Sequence, residues 1–90
     1  MIDDAIALDG NAAAGPLAAL FAFDVTMAIV HCGNCDASRP LAELRFYGSP
    51  HAMVLRCRTC GEVNIRLLET KRTINLDLAG AARIEVGRSA

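Results

Sequence analysis

At 90 residues with a net charge of −1, the chain is sized for one small domain and has no excess charge to draw it to nucleic acid or an anionic membrane. Three Phe, one Tyr and no Trp, with much of the apolar content in Ala, leave a marginal core, so a staple by metal, disulfide or partner is expected. Charge is unevenly placed: residues 1–36 carry five acids (Asp3, Asp4, Asp9, Asp24, Asp36) and no Lys or Arg, and residues 37–90 carry all nine basic residues.

In chain order, residues 1–24 read as a helical segment. Within residues 12–23, Leu17, Leu20 and Phe21 recur at i, i+3, i+4 on one face, and Asp9 or Asn11 supplies a cap. Pro16 leaves two alternatives, a short turn preceding a helix that starts at Pro16 or one helix kinked there. The run is preceded by acids, is interrupted by Gly15-Pro16 and is too short to span a bilayer. It reads neither as an export signal nor as a membrane segment. The expected compartment is the cytoplasm, where paired cysteines signify metal or redox chemistry rather than disulfides.

From residue 25 to the end, 25–90, the period changes to two. Val25, Met27 and Ile29 alternate toward the first cysteine pair. Further runs are Leu44 and Phe46; Met53, Leu55 and Cys57; Val63, Ile65 and Leu67; and Ile74, Leu76 and Leu78. These patterns predict half-buried antiparallel strands, with Asn64, Arg66 and Leu68 on an outer face. A hairpin turning at residues 48–51 is expected to set Tyr47 opposite Ala52, Phe46 opposite Met53, Leu44 opposite Leu55 and, outside, Glu43 opposite Arg56. A second, turning at Lys71-Arg72, sets Leu67 opposite Leu76, Arg66 opposite Asp77 and Glu69 opposite Ile74.

All four cysteines fall in two C-x2-C pairs, Cys32 with Cys35 and Cys57 with Cys60, and each pair sits at a strand end. Two residues between ligands let one tight turn aim both sulfurs at one ion. Four sulfurs satisfy the closed tetrahedral shell of a structural Zn²⁺. One structural zinc held by Cys32, Cys35, Cys57 and Cys60 is therefore expected. Gly33 and Gly61 are suited to unusual backbone angles, and Asp36, where a glycine would be usual, tolerates the left-handed region. The same thiolates would accept iron, which gives the alternative of a rubredoxin-like electron carrier. With every ligand position filled by protein, no catalytic metal is expected, and no other catalytic constellation or phosphate loop is present. The chain reads as no enzyme, with no small-molecule substrate evident.

His31 and His51 read as a residue packed beside the first cysteine turn and a solvated turn residue. Arg39, Arg45, Arg56, Arg58 and Arg66, with Tyr47 as a stacking surface, raise a nucleic-acid or transcription-associated ribbon as the other alternative. The expected pairs Glu43–Arg56 and Arg66–Asp77 weigh against it, and Arg56 and Arg58 would also offset the −2 charge of a zinc tetrathiolate. The acidic N-terminal segment could lie over the basic half.

The chain resembles a group of short bacterial zinc-ribbon proteins known only as a domain of unknown function. The resemblance covers roughly residues 8–80. It rests on Leu8-Asp9-Gly10-Asn11, Ala14-Gly15-Pro16-Leu17-Ala18, the pair Cys32 and Cys35, Pro40-Leu41-Ala42-Glu43-Leu44, and Val54-Leu55-Arg56-Cys57 leading to Cys60. It implies a rubredoxin-like zinc ribbon with an N-terminal helix, and it implies no activity. The expected fold is thus a small, mostly β (α+β) protein, an antiparallel zinc ribbon over residues 25–90 preceded by the helical segment 1–24. The expected role is a structural-zinc-binding interaction module with a protein partner.

Overall fold

The computed structural model describes residues 8–18, 20–21 and 24–87. Strand β1 (Leu8–Asp9) is followed by a 3-10 turn over Gly10–Ala13, capped by the Asp9 carboxylate, which accepts from the Asn11 N–H. The turn passes into helix α1 (Ala14–Ala18), only five residues long. A short turn does precede the helix, as in the first alternative, but the helix starts at Ala14 rather than at Pro16. Pro16 is the third residue of α1, in the first turn, where a missing N–H costs no intrahelical bond. Leu17 is buried and Phe21 packs on the core, but Leu20 is exposed, so the expected stripe keeps two of its three members. The helical reading of residues 1–7, 19 and 22–23, with Asp3, Asp4 and Phe23, lies outside the described residues.

The expected strand beginning at residue 25 is also corrected. Asp24 accepts from both the N–H and the hydroxyl of Thr26, at 3.1 and 2.6 Å, and caps a 3-10 turn over Val25–Met27. Such a local side-chain bond offers the backbone an alternative to a ladder, so strand β2 starts only at Ile29 (Ile29–Cys32). Strand β3 (Ser38–Pro40), a further 3-10 turn (Leu41–Glu43), β4 (Arg45–Ser49), β5 (Ala52–Arg56), β6 (Val63–Glu69), β7 (Ile74–Asp77) and β8 (Ala81–Glu85) complete the described chain.

Two antiparallel sheets result, one in the order β1-β4-β5-β6-β7 and one in the order β3-β2-β8. The β6–β7 register is as expected, with Arg66 opposite Asp77, Leu67 opposite Leu76 and Glu69 opposite Ile74. The β4–β5 register is offset by two residues from expectation. Ser49 pairs with Ala52, Tyr47 with Val54, Phe46 with Leu55 and Arg45 with Arg56. An offset of two preserves which face each side chain takes, so the apolar alternation could not detect it. Phe46, Leu55 and Ile65 still line the inner face, with Met53 and Leu67 in the next row, and all are buried.

The offset does change the outer face. Arg56 now lies opposite Arg45, and Glu43 pairs with Arg39 at 3.3 Å instead. Strand β8, paired to β2 with Ile84 opposite Val30, was not anticipated, since its short run carries only Ile84 as a large apolar residue. The core joins both sheets: Leu17 from α1, with Leu41 and the C-cap Leu44 of the 3-10 turn before β4, packs with Val30, Phe46, Leu55 and Ile65. No helix among the described residues is long and apolar enough to cross a membrane.

Candidate metal centre

Each cysteine pair lies in a tight turn, here called a knuckle, and the two knuckles share a backbone plan. In the first, the Cys32 N–H donates to the Ala37 carbonyl (2.9 Å) and the Asp36 N–H returns to the Cys32 carbonyl (3.2 Å). In the second, Cys57 donates to Glu62 (2.8 Å) and Gly61 returns to Cys57 (2.9 Å). Both turns need a left-handed residue directly after the second cysteine. Asp36 takes it at φ 65° and Gly61 at φ 83°. Gly33 does not adopt such an angle. It serves instead as a close-approach point, where its N–H donates to the Gly80 carbonyl at 2.9 Å.

The knuckles hang from different sheets. The first leaves β2 of the three-stranded sheet, and the second joins β5 to β6 of the five-stranded one. The fold brings all four sulfurs within 4.8 Å of one another, and none is in a disulfide. Two pairs cross between knuckles, Cys32 to Cys60 and Cys35 to Cys57, each at 3.7 Å. Four thiolates around one ion at a bond length of about 2.3 Å define a tetrahedron with edges of about 3.8 Å. The four cysteines therefore fit a single metal ion, with Cys32 and Cys57 buried, Cys35 half-buried and Cys60 exposed.

Side-chain amides and backbone N–H groups point at this sulfur set. The backbone N–H of Asn34 donates to Cys32 Sγ, the Asn34 amide to Cys60 Sγ and the Asn64 amide to Cys32 Sγ, each at 3.4 Å. Burial raises the Cys32 thiol, but the Asn64 amide and the backbone N–H groups of Cys35 and Asn34 outweigh it and bring it down to about 6. Cys60 is lowered, by the Asn34 side chain first and a backbone bond to Glu62 second. Cys35 goes the other way. A backbone bond from Ala37 lowers it, yet burial and the neighbouring sulfurs of Cys57, Cys60 and Cys32 carry it up to about 12. Sulfurs this close cannot all ionise beside one another without a cation. A metal ion removes that conflict.

Sequence reasoning missed Asn64. It was assigned to an outer face by strict alternation, but the β5–β6 register shifts between Leu55 and Arg56, and Asn64 is 1% exposed. Its amide bonds both Cys32 Sγ and the Gly80 carbonyl, the latter at 2.9 Å. Gly80 in turn abuts β6 so closely that a Cβ there would fall on the Val63 carbonyl oxygen. The Gly80 carbonyl thus ties the first knuckle, β6 and the start of β8 together. No local signal marks either residue, because both roles arise from chain segments distant in sequence.

The histidines stand apart from the sulfurs. His31 bridges Ser38 Oγ and Glu85 Oε1, at 2.8 and 3.0 Å, across the three strands of the smaller sheet. His51 is exposed in its turn and meets Glu69 at 3.0 Å. Of the basic residues, Arg58 donates to the Glu43 carbonyl and Arg39 to Thr59 Oγ1. Arg56 reaches the Gly61 carbonyl of the second knuckle at 2.8 Å.

Comparison with known families matched residues 3–89 to DUF6510, described as a family of unknown function. No curated protein and no solved structure matched the chain.

Proposed function

Since the chain belongs to the DUF6510 family of unknown function, we propose a role read from the centre itself. The protein is a small interaction module whose fold is held by one structural Zn²⁺ on Cys32, Cys35, Cys57 and Cys60. The observation that carries this reading is the crossed sulfur geometry, two 3.7 Å pairs formed between knuckles that belong to different sheets. When bound, the ion supplies charge neutralisation and a cross-link. The residues of the chain supply four thiolates and the N–H groups that steady them. With all ligands drawn from the protein, no coordination site is left for a reacting water, which supports a non-catalytic role. Free thiols in this arrangement suit a reducing compartment such as the cytoplasm.

The test is elemental analysis of the purified protein together with thermal unfolding before and after chelation. One equivalent of zinc, and loss of cooperative unfolding on its removal, is expected. A metal-free chain that keeps its full thermal stability would overturn the structural role. A coloured protein carrying one iron would replace zinc by an electron-transfer centre on the same ligands.

A further inference from the structure

The outer face of the five-stranded sheet is organised as two rows. One row runs Tyr47, Val54, Arg66 and Asp77 across β4 to β7, and the next runs Ser49, Ala52, Leu68 and Asn75. Strict alternation on a solvated antiparallel face calls for polar residues, yet these rows place Tyr47, Ala52, Val54 and Leu68 side by side. Together with Arg66 they line a concavity of about 340 Å³. Leu68 is 48% exposed, and Arg66 and Arg56 stand exposed at the margin.

Among the described residues no acid lines this concavity, while Glu62 and Asp77 lie with Arg66 in the neighbouring depression. Glu43 is engaged by Arg39, and Glu69 turns to His51 on the opposite side. Asp77, the one acid in the two rows, stands opposite Arg66 and accepts on Oδ1 from the Ala79 N–H at 2.8 Å.

We propose that this concavity is a docking site for a protein segment that presents a large apolar side chain flanked by carboxylates. The apolar floor would take the side chain, and the guanidinium groups of Arg66 and Arg56 would meet the flanking acids, for which their planar forks are suited. Two other occupants fit less well. A second copy of the chain set face to face on this concavity would bring the same arginines against these, and no acid lines the concavity to answer them. Single-stranded nucleic acid needs an open ring for base stacking, but the Arg56 guanidinium already lies 5.7 Å from the centre of the Tyr47 ring, and the chain as a whole carries a net charge of −1. The proposal rests on the module reading above and adds the chemistry of its partner.

The experiment is a titration of isotope-labelled, zinc-loaded full chain with the capped peptide Glu-Glu-Phe-Leu-Glu-Glu, followed by backbone amide shifts at low salt. Shifts centred on Tyr47, Val54, Arg66 and Leu68 are expected. Leu68→Glu should weaken binding at least about tenfold, as loss of a buried anchor does. Arg66→Glu should reverse the preference toward the same peptide with Lys in place of Glu. Arg83→Glu, on β8 of the other sheet, should leave affinity unchanged.

Absence of shifts at peptide concentrations of about 2 mM, an affinity weaker than any useful docking, would overturn the proposal. So would equal weakening by Arg83→Glu, or indifference to Leu68→Glu. A short oligothymidylate that moves the same amides at lower concentration would reassign the face to nucleic acid. Zinc content and spectral dispersion of the same samples report the metal-held fold separately, so failure of docking is distinguishable from failure of the metal reading. Should Leu68→Glu lose dispersion, Leu68→Ser takes its place.

Discussion

The first knuckle, at Cys32 and Cys35, and the second, at Cys57 and Cys60, repeat the same pair of backbone hydrogen bonds, yet their surroundings differ. The first is tied inward, with Asn64 on Cys32 Sγ and Gly80 on the Gly33 N–H. The second stands at the tip of β5 and β6 with Cys60 exposed. Its ties are exposed side-chain bonds: Arg39 on Thr59 Oγ1, Arg58 on the Glu43 carbonyl, the Asn34 amide on Cys60 Sγ and Arg56 on the Gly61 carbonyl. A short motif can thus specify the turn while leaving its anchoring to the rest of the fold. Within each knuckle the leading cysteine is buried and the trailing one more open, so the four ligands are not equivalent in what their loss exposes.

The largest way to break the comparison is at the ligands. Cys32→Ser and Cys57→Ser should abolish cooperative unfolding, since structural zinc contributes about 10–16 kcal/mol in small metal-dependent folds and such domains have only about 5–15 kcal/mol in all. Cys60→Ser, at the exposed corner, should retain a weakened, metal-dependent transition. Calorimetry of the three variants, at equal metal, separates them. If Cys60→Ser is as damaging as Cys32→Ser, burial does not rank the ligands.

Next come the anchors of the first knuckle. Gly80→Ala should cost about 2–3 kcal/mol, the upper part of the usual overpacking range, because the added Cβ meets the Val63 carbonyl rather than a flexible side chain. Asn64→Leu should cost about 1–3 kcal/mol through the acceptors it leaves behind. Asn34→Ala, which removes an exposed amide from Cys60 Sγ, should cost less than either. Denaturant midpoints at saturating zinc provide the measurement. Equal effects of Asn64→Leu and Asn34→Ala would remove the distinction between the knuckles.

A finer contrast concerns the left-handed position. Gly61→Ala should destabilise by about 1–2 kcal/mol from backbone strain alone, since nothing stands within 4 Å of the added Cβ. Asp36→Gly should be neutral or slightly stabilising, because Asp36 already bears that strain at φ 65°. Thermal midpoints moving in the same direction for both would show that side-chain loss at Asp36 outweighs its backbone relief.

The smallest effect lies away from the metal. Bonds from the Thr26 hydroxyl and N–H hold the Asp24 carboxylate below its ordinary 3.8. A carboxylate lowered by folding contributes stability above its unfolded value and loses it as pH falls through the folded one. Asp24→Asn should therefore narrow its deficit relative to the parent as pH drops below about 4. Thermal melts of both chains across that range, compared pairwise so that the acid sensitivity of the thiolate site cancels, test it. A constant deficit would mean that the bonds do not depend on ionisation.

Much of the site was legible because its information is local. A two-residue spacing between cysteines, followed by a residue able to adopt the left-handed region, suffices to build each knuckle, and Asp36 could be recognised as a substitute for glycine. The helical segment was less legible. Ala-rich composition favours helix over residues 12–23, but α1 ends at Ala18, and Leu20 is exposed.

By itself the sequence determined the two turns, the candidate ligands, the inward faces of most strands and the β6–β7 register. Each of these follows from short-range spacing or from a period of two. Tertiary structure alone decided the β4–β5 register, since a two-residue offset leaves every side chain on its own face. It also decided the placement of β8, the burial of Asn64 and the crossing of sulfurs between sheets. These depend on which distant segments pack together, and pairing of that kind is set by the fit of the whole core rather than by any local pattern.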